Sequence, residues 1–458
     1  MRIFATSVVV LVLVVLTARE TSAQTTQGQQ PQDPNAPVRV LTQRPYRGVF
    51  GGGVGETSQL LTLGLNMGGG YDSSVFVDNR QDPNAIAPVS RRRSGFLQGS
   101  ANLNYSLSLG AVSFSAGAGV SASHYPSLDV PVARRYLANA GGTWRVSTRA
   151  SLGGRYSIAY LPLQHLASLP GGLDPALGPI DPFDSTIGAA SETYRTESGG
   201  VNFNYRISQR IGSSFDYSHW RIVSPDGDRD VSTNGASARV TYALTQSIGV
   251  YGGYHVDSGQ YGSTDNQPRY YTHSGDFGLD FAKALSLTRK TTAGFGTGLT
   301  GVTDGNQTRY ALTGFASLRR EIARSWGAGL TYNRNVGFAQ AFRQPVFSDS
   351  LSANVGGLIS RRLRFNSGLS MSFGRVGFSD PNDPNVNTDR GYRALYASAG
   401  LGVAISRMLS GGVRYSYSRY RFGGDVNVPT DLLFQAGRHG VNVYLSSWIP
   451  LMSRTRRP

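Results

Sequence analysis

The chain is organised by an alternation of short turns and long polar loops. Eight short turns and nine longer loops separate segments of 10–16 residues in which apolar and polar side chains alternate. Several turns consist of an aliphatic residue, then Ser or Thr, then polar or basic residues, as in Ile207-Ser208-Gln209-Arg210. The short turns are centred near Gly110, Ser147, Ser208, Thr245, Ser286, Ala323, Ser360 and Ser406. Short turns at one end and long loops at the other are typical of transmembrane β-barrels.

The side-chain pattern within the segments has the period of a β-strand. Leu61, Leu63 and Leu65 share one face of the first segment, opposite Thr62 and Gly64. Such alternation indicates strands with one apolar and one polar face. A mean hydropathy of −0.24 fits this arrangement, since half of the side chains face water. Residues 58–448 are therefore predicted to form an all-β, antiparallel, up-and-down transmembrane barrel of about eighteen strands, with sixteen as the lower bound.

A soluble β-propeller is the alternative all-β architecture. The short turns recur at 37 to 46 residues except across one long loop, and propeller blades have periods near this length. However, a blade holds four short strands, whereas each period here holds two long ones and no blade signature. The barrel interpretation is favoured.

The two ends of the chain differ from its repeating part. Arg2, the apolar run from Val8 to Leu16 and the small residues Thr21-Ser22-Ala23 have the form of a secretory signal peptide over residues 1–23. Residues 24–57 are rich in Gln, Pro and Gly and are predicted to be a flexible periplasmic tail. Residues 449–458 are predicted to be a basic C-terminal tail. An even number of strands places both termini in the periplasm, and the barrel in the bacterial outer membrane.

The basic charge of the chain is sorted by position. The formal net charge is +16, but the signal peptide argues against a nucleic-acid partner. Aspartates concentrate in the long loops, where they could bridge divalent cations to lipopolysaccharide, and arginines concentrate near the short turns. A confined ring of arginines favours anions, although some of these arginines could instead pair with loop acids and fasten the barrel. The candidate pore-lining residues are Arg149, Arg155, Arg206, Arg239, Arg364 and Arg414.

As architecture, residues 58–448 resemble outer-membrane porins, in which the third external loop folds into the barrel and narrows it. The resemblance implies water-filled diffusion of small solutes. It also implies that Asp174, Asp181 and Asp184, in the long loop over about 163–190, face wall arginines across a constriction. The chain departs from the general porins in having more than sixteen strands and in continuing beyond Trp448. The aliphatic-Ser turns are also similar to those of porin-like barrels associated with bacterial exopolysaccharide systems.

An enzyme is a less favoured interpretation. A lipid hydrolase would need Ser, His and a polar orienting group close together. His219 and His255 are near the predicted mouth with Ser218 and Asp257, but isolated histidines at a membrane interface are common. The sequence contains no nucleophile elbow, no phosphate-binding Gly loop followed by a helix and no metal-ligand cluster. The prediction is a protein without catalytic activity, metal or cofactor.

The sequence thus predicts an outer-membrane channel for passive diffusion of small hydrophilic, preferably anionic, solutes. Two alternatives stay open: export of an anionic exopolysaccharide, and a closed structural or adhesive barrel. The expected surroundings are outer-membrane lipid and lipopolysaccharide, and assembly into a homo-oligomer is left open.

Overall fold

The computed structural model describes residues 57–78, 89–128, 131–162, 193–224, 230–245, 248–262, 269–281, 291–303, 308–323, 325–339, 344–377, 391–423 and 435–455. The predicted signal peptide and the predicted tail up to residue 56 lie outside these ranges. The predicted constriction loop with Asp174, Asp181 and Asp184 also lies outside them.

Eighteen strands form one closed sheet. They are β1 (Thr57–Asp78), β2 (Val89–Leu109), β3 (Val112–His124), β4 (Ala133–Arg145), β5 (Ala150–Pro162), β6 (Thr193–Arg206), β7 (Ile211–Val223), β8 (Val231–Ala243), β9 (Ile248–Tyr261), β10 (Arg269–Phe281), β11 (Thr291–Thr303), β12 (Thr308–Ala323), β13 (Trp326–Ala339), β14 (Gln344–Leu358), β15 (Leu363–Val376), β16 (Gly391–Ala404), β17 (Leu409–Phe422) and β18 (Gln435–Thr455). Each strand pairs antiparallel with its neighbours in sequence, and β1 pairs with β18. The predicted all-β, up-and-down barrel is confirmed.

Hydroxyl groups explain the repeated aliphatic-Ser turns. In the β6–β7 turn, the Ser208 hydroxyl accepts hydrogen bonds from the backbone N–H groups of Arg210 and Ile211, at 3.2 and 3.1 Å. Ser147, Ser360, Ser406 and Thr245 accept equivalent bonds in their own turns. A side-chain acceptor satisfies backbone donors that a two-strand ladder leaves unpaired at its end. The recurrent Ser or Thr therefore stabilises the turn by accepting hydrogen bonds from its backbone.

The two faces of the wall differ in chemistry all round the barrel. Residues opposite each other in adjacent strands share a face, so the register extends the outward phase from strand to strand. Large apolar side chains on this phase are exposed, with Met67, Leu97 and Phe277 at 60–67%. The inward phase carries Ser, Asn, Thr and Gly, as in Ser100 and Asn102 of β2. An exposed apolar wall around a polar interior is the pattern of a membrane barrel.

The last strand is longer than the sequence indicated. β18 continues to Thr455, so residues 449–455 of the predicted basic tail are strand and pair with the start of β1. Pro450 lies within this strand, although proline cannot donate to a ladder. The register shifts by one residue between Leu61 and Thr62, opposite Pro450 to Met452. This β-bulge accommodates the proline within the strand.

Candidate functional site: the lumen and its outer mouth

Three predicted pore-lining arginines lie at similar depth inside the barrel. Arg155 and Arg414 are five residues beyond the starts of β5 and β17, and Arg239 is four residues before the end of β8. With a rise of about 3.3 Å per residue and the strand tilt of a membrane barrel, they lie about 10–13 Å from the short-turn end. The strand register puts all three on the inward phase. We call Arg155, Arg239 and Arg414 the lumen belt.

The remaining predicted pore residues lie closer to the short-turn end. Arg206 is the last residue of β6 and Arg364 is the second residue of β15, both on the inward phase. Arg149 lies in the β4–β5 turn, where its side chain is exposed and its carbonyl accepts a bond from the Arg206 N–H at 2.8 Å. The structure therefore places five of the six candidates on inward strand positions and Arg149 at the rim.

Glycine lets one belt arginine reach an acidic partner two strands away. The Arg239 guanidinium lies 3.4 Å from Asp276 Oδ2 and 4.3 Å from the centre of the Tyr251 ring. Gly253 of β9 lies between Arg239 and Asp276 in the register. A Cβ atom at Gly253 would come within 2.6 Å of Asp276 Oδ1. The absence of a side chain there keeps the ion pair flat against the wall and leaves the lumen clear.

Arginines outnumber acidic residues on the inward phase. Among residues whose side chains the structure describes, eleven arginines occupy this phase: Arg92, Arg135, Arg145, Arg155, Arg206, Arg239, Arg309, Arg319, Arg364, Arg414 and Arg438. Five acidic residues share it: Asp72, Asp216, Asp257, Asp276 and Glu321. Arg155 and Arg364 are exposed to the interior. The described inward positions therefore carry more positive than negative charge.

A hairpin leaves the wall at the long-loop end of the barrel, which we call the mouth. β12 and β13 pair only as far as Gly314 and Arg334, so residues 308–313 of β12 have no partner in β13. The outer part of β13 still pairs with β14, up to Ala339 and Gln344. We call residues 335–339 with 344–348 the mouth hairpin.

Aromatic contacts hold the mouth hairpin against β9. Phe338 packs against Tyr261, with ring centres 6.3 Å apart. Its ring also lies over Gly259, where an added Cβ atom would come within 2.5 Å of the Phe338 ring carbons. The Tyr261 hydroxyl donates to the Gln344 carbonyl at 2.9 Å. Tyr261 belongs to β9, and β10, β11 and β12 separate it from β13 in the wall. Contact across that separation requires the hairpin to cross inside the mouth, which narrows it.

Further side chains pack around the contact between Phe338 and Tyr261. Trp220, Val231 and Tyr270 join Tyr261 and Phe338 in one apolar cluster. Thr272 of β10 and Thr300 and Val302 of β11, which lie on the inward phase, are also buried. Because strand periodicity reports only on the wall, sequence reasoning missed this site. The one available signal was the concentration of aromatic residues at inward positions near the loop ends.

A second inward structure lies on the other side of the mouth. Arg438 donates from Nε to both carboxylate oxygens of Asp72, at 2.9 and 2.8 Å, and both side chains are buried. Tyr125, in the β3–β4 connection, lies beside them and packs with Phe96. Burial raises the pKa of the Tyr125 hydroxyl to about 12. This cluster fastens the β3–β4 connection over the joint between β1 and β18.

Among the described residues, no hydrogen bond joins a serine hydroxyl to a histidine ring near the mouth, although the side chains of Ser218, His255 and Asp257 all lie around Gly235 on the inward phase. His219 lies on the outward phase and contacts Asn234 at 2.9 Å, whereas Ser218 lies on the inward phase. His255 lies 2.6 Å from Asp257, which also accepts a bond from Thr272 at 3.1 Å. Backbone N–H groups here serve the sheet, so they offer no oxyanion site. These contacts connect side chains within the barrel wall.

No helix among the described residues is long and apolar enough to cross a membrane. Within the same ranges, no group of three or more His, Cys, Asp or Glu could hold a metal ion.

Solved structures with a similar fold exist for this chain. No family model matches the chain, and no curated protein matches it. Similar structures include OccK7 (OpdD) of Pseudomonas aeruginosa, 13% identical over 86% of this chain and 99% of that chain, with a TM-score of 0.43. OpdQ of Pseudomonas aeruginosa is 12% identical over 86% and 98%, with a TM-score of 0.42.

The FrpB iron transporter of Neisseria meningitidis (F5-1 variant) is 9% identical and has a TM-score of 0.43. The match covers 82% of this chain but 64% of FrpB, so the chain spans less than two thirds of that transporter. Because these sequence identities and TM-scores are low, the architecture rests on the strand pairing of this chain itself, which forms a closed, porin-like barrel of eighteen strands.

Proposed function

We propose that this protein is an outer-membrane channel for passive diffusion of small hydrophilic solutes, with a preference for anions. The observation that carries the proposal is the set of inward arginines that are exposed inside a closed barrel, Arg155, Arg239 and Arg364. Barrels of sixteen to eighteen strands are wide enough to leave an aqueous channel. Guanidinium groups in such a channel attract anions and repel cations.

The outer surface supports membrane insertion. Apolar side chains form its outward phase, with lipid and lipopolysaccharide as the expected surroundings. Short turns of membrane barrels face the periplasm. Since β1 begins and β18 ends at the short-turn end, both termini are then periplasmic and the mouth hairpin faces the exterior. The hairpin crosses the mouth to contact β9, so we expect it to limit the size of the solute.

Planar-bilayer recording of the purified full-length protein tests this function. We expect discrete conductance steps, and in a tenfold KCl gradient a reversal potential with the sign of chloride selectivity. The proposal fails without conductance steps, and cation selectivity contradicts its anionic part. Passage of long anionic oligosaccharides without conductance for small ions would favour the exopolysaccharide alternative.

The glycine between Arg239 and Asp276 gives a finer test of the lumen charge. Gly253→Ala puts a methyl group within 2.6 Å of the Asp276 carboxylate and should displace it from Arg239. Both charges stay in the lumen, so Gly253→Ala alone should change the anion-to-cation permeability ratio by less than about twofold, whereas Asp276→Asn, which removes one negative charge, should raise it about two- to threefold.

Gly252→Ala is the matched control, because a Cβ at the outward-phase Gly252 has no neighbour within 4 Å. An equal selectivity change in Asp276→Asn and in Gly252→Ala would contradict the proposed effect of the Asp276 charge.

A further inference from the structure

Four arginines gather on the outer face of β15, β16 and β17 near their loop ends. Arg393 stands directly opposite Arg421 in the register. Arg375 pairs with Gly391, two residues from Arg393, and Arg419 is two residues from Arg421. Opposed side chains in a sheet have Cβ atoms about 5 Å apart, and diagonal neighbours lie about 7–8 Å apart. We call Arg375, Arg393, Arg419 and Arg421 the arginine patch.

The patch lacks the acidic partners that three other outward arginines have. Arg195 pairs with Glu197, Arg334 lies 3.9 Å from Asp349, and Arg221 lies 3.7 Å from Asp230. No ion pair joins a patch arginine to an acid within the described ranges, and all four side chains are exposed. Like charges directly opposite each other in a sheet are destabilising. The arrangement therefore favours an external anion.

The surface beside the patch identifies the kind of anion. Phe373, 45% exposed, stands opposite Arg393, and the outward wall continues toward the short-turn end with Met371 and Tyr415 at 41% and 43%. The patch thus borders the apolar wall, at the level where lipid headgroups meet acyl chains. A ligand that fits both surfaces carries phosphate above hydrocarbon.

We infer that the arginine patch binds the phosphate of a lipid headgroup, while the acyl chains of that lipid lie over Phe373, Met371 and Tyr415. Arginine suits this role because its guanidinium can form two parallel hydrogen bonds to phosphate oxygens. The inference rests on the membrane placement proposed above. It assigns a specific lipid site to one sector of the barrel, away from the lumen.

Native mass spectrometry of the full chain in detergent tests the site. The probes are didecanoyl phosphatidic acid, didecanoyl phosphatidylcholine and inorganic phosphate. We expect phosphatidic acid to bind more tightly than phosphatidylcholine, and Arg393→Gln/Arg421→Gln to weaken its binding about tenfold, as the loss of charge-assisted hydrogen bonds implies. The control is Arg134→Gln/Arg269→Gln, which removes two exposed outward arginines from distant strands and should leave binding unchanged.

An equal loss of phosphatidic acid binding in both double variants, or no loss of binding in the patch variant, overturns the assignment. So does displacement of phosphatidic acid by inorganic phosphate at similar concentration, which would identify a site for free phosphate. Bilayer conductance separates the two proposals, since the patch variant should keep wild-type conductance. Absence of conductance in the wild type would count against the channel and leave the lipid measurement valid.

Discussion

A channel carrying Gly259→Cys and Phe338→Cys is expected to conduct more than the wild type when reduced and to return to wild-type conductance when oxidised. Phe338 holds the mouth hairpin to β9, and its Cγ lies 2.8 Å from the position of a Cβ at Gly259. Two Cβ atoms at these positions are then close enough for a disulfide. The chain has no cysteine of its own, so the engineered pair is the only thiol pair.

The size of the effect follows from the aromatic contact. Phe338 is half-buried, so removal of its ring is expected to cost about 2 kcal/mol, less than the about 3–5 kcal/mol for truncation of a buried phenylalanine. That changes the equilibrium between the seated and the released hairpin about 30-fold. The disulfide restores the seated position covalently. The measurement is single-channel conductance in one membrane before and after addition of a reductant.

A disulfide within the wall provides the control. Ser157→Cys/Ser198→Cys replaces two serines whose hydroxyl oxygens lie 2.7 Å apart on neighbouring strands β5 and β6. Its conductance should not respond to reductant, because no hairpin is attached there. If the reduced Gly259→Cys/Phe338→Cys channel conducts like the wild type, the mouth hairpin does not limit the passage.

Sequence periodicity predicted the wall of this barrel well, and the reason is physical. Each strand presents one face to an apolar and one to a polar environment, so side chains such as Leu97 and Gln98 report their own orientation. The turn hydroxyls, such as Ser208, report where strands end. Strand number, closure and the inward phase of Arg155, Arg206, Arg239, Arg364 and Arg414 follow from these two local signals. Arg149 lies in the β4–β5 turn, outside the strands.

The closure of the mouth could not be predicted in the same way. Phe338 meets Gly259 across 79 residues of sequence and three intervening strands, and no local pattern encodes that contact. The porin resemblance directed attention to the long loop over about 163–190, which lies outside the described residues. The four-residue connection of 340–343 gave no comparable signal. Likewise, Gly253 reads as a weak strand residue until Asp276 is seen to occupy its space.

Replacement of Arg155, Arg239 and Arg364 together by glutamine is expected to abolish most of the anion preference. A unit charge about 10 Å from a passing ion contributes about 0.4 kcal/mol in water, or about a twofold change in the concentration of that ion. Loss of three such charges should lower the anion-to-cation permeability ratio by about an order of magnitude. The ratio is obtained from the reversal potential in a KCl gradient, and the effect should shrink at high salt, where the Debye length is short.

The charge-matched control is Arg134→Gln/Arg269→Gln/Arg320→Gln, which removes three arginines from the outward phase. A general effect of net charge would shift selectivity equally in both triple variants, whereas a lumen effect shifts it in the first alone. The two triple variants should conduct with similar step size, because we expect the mouth hairpin, and not the arginines, to limit the passage. Equal selectivity in the lumen variant and the wild type would show that the inward arginines fasten the wall and do not act on passing ions.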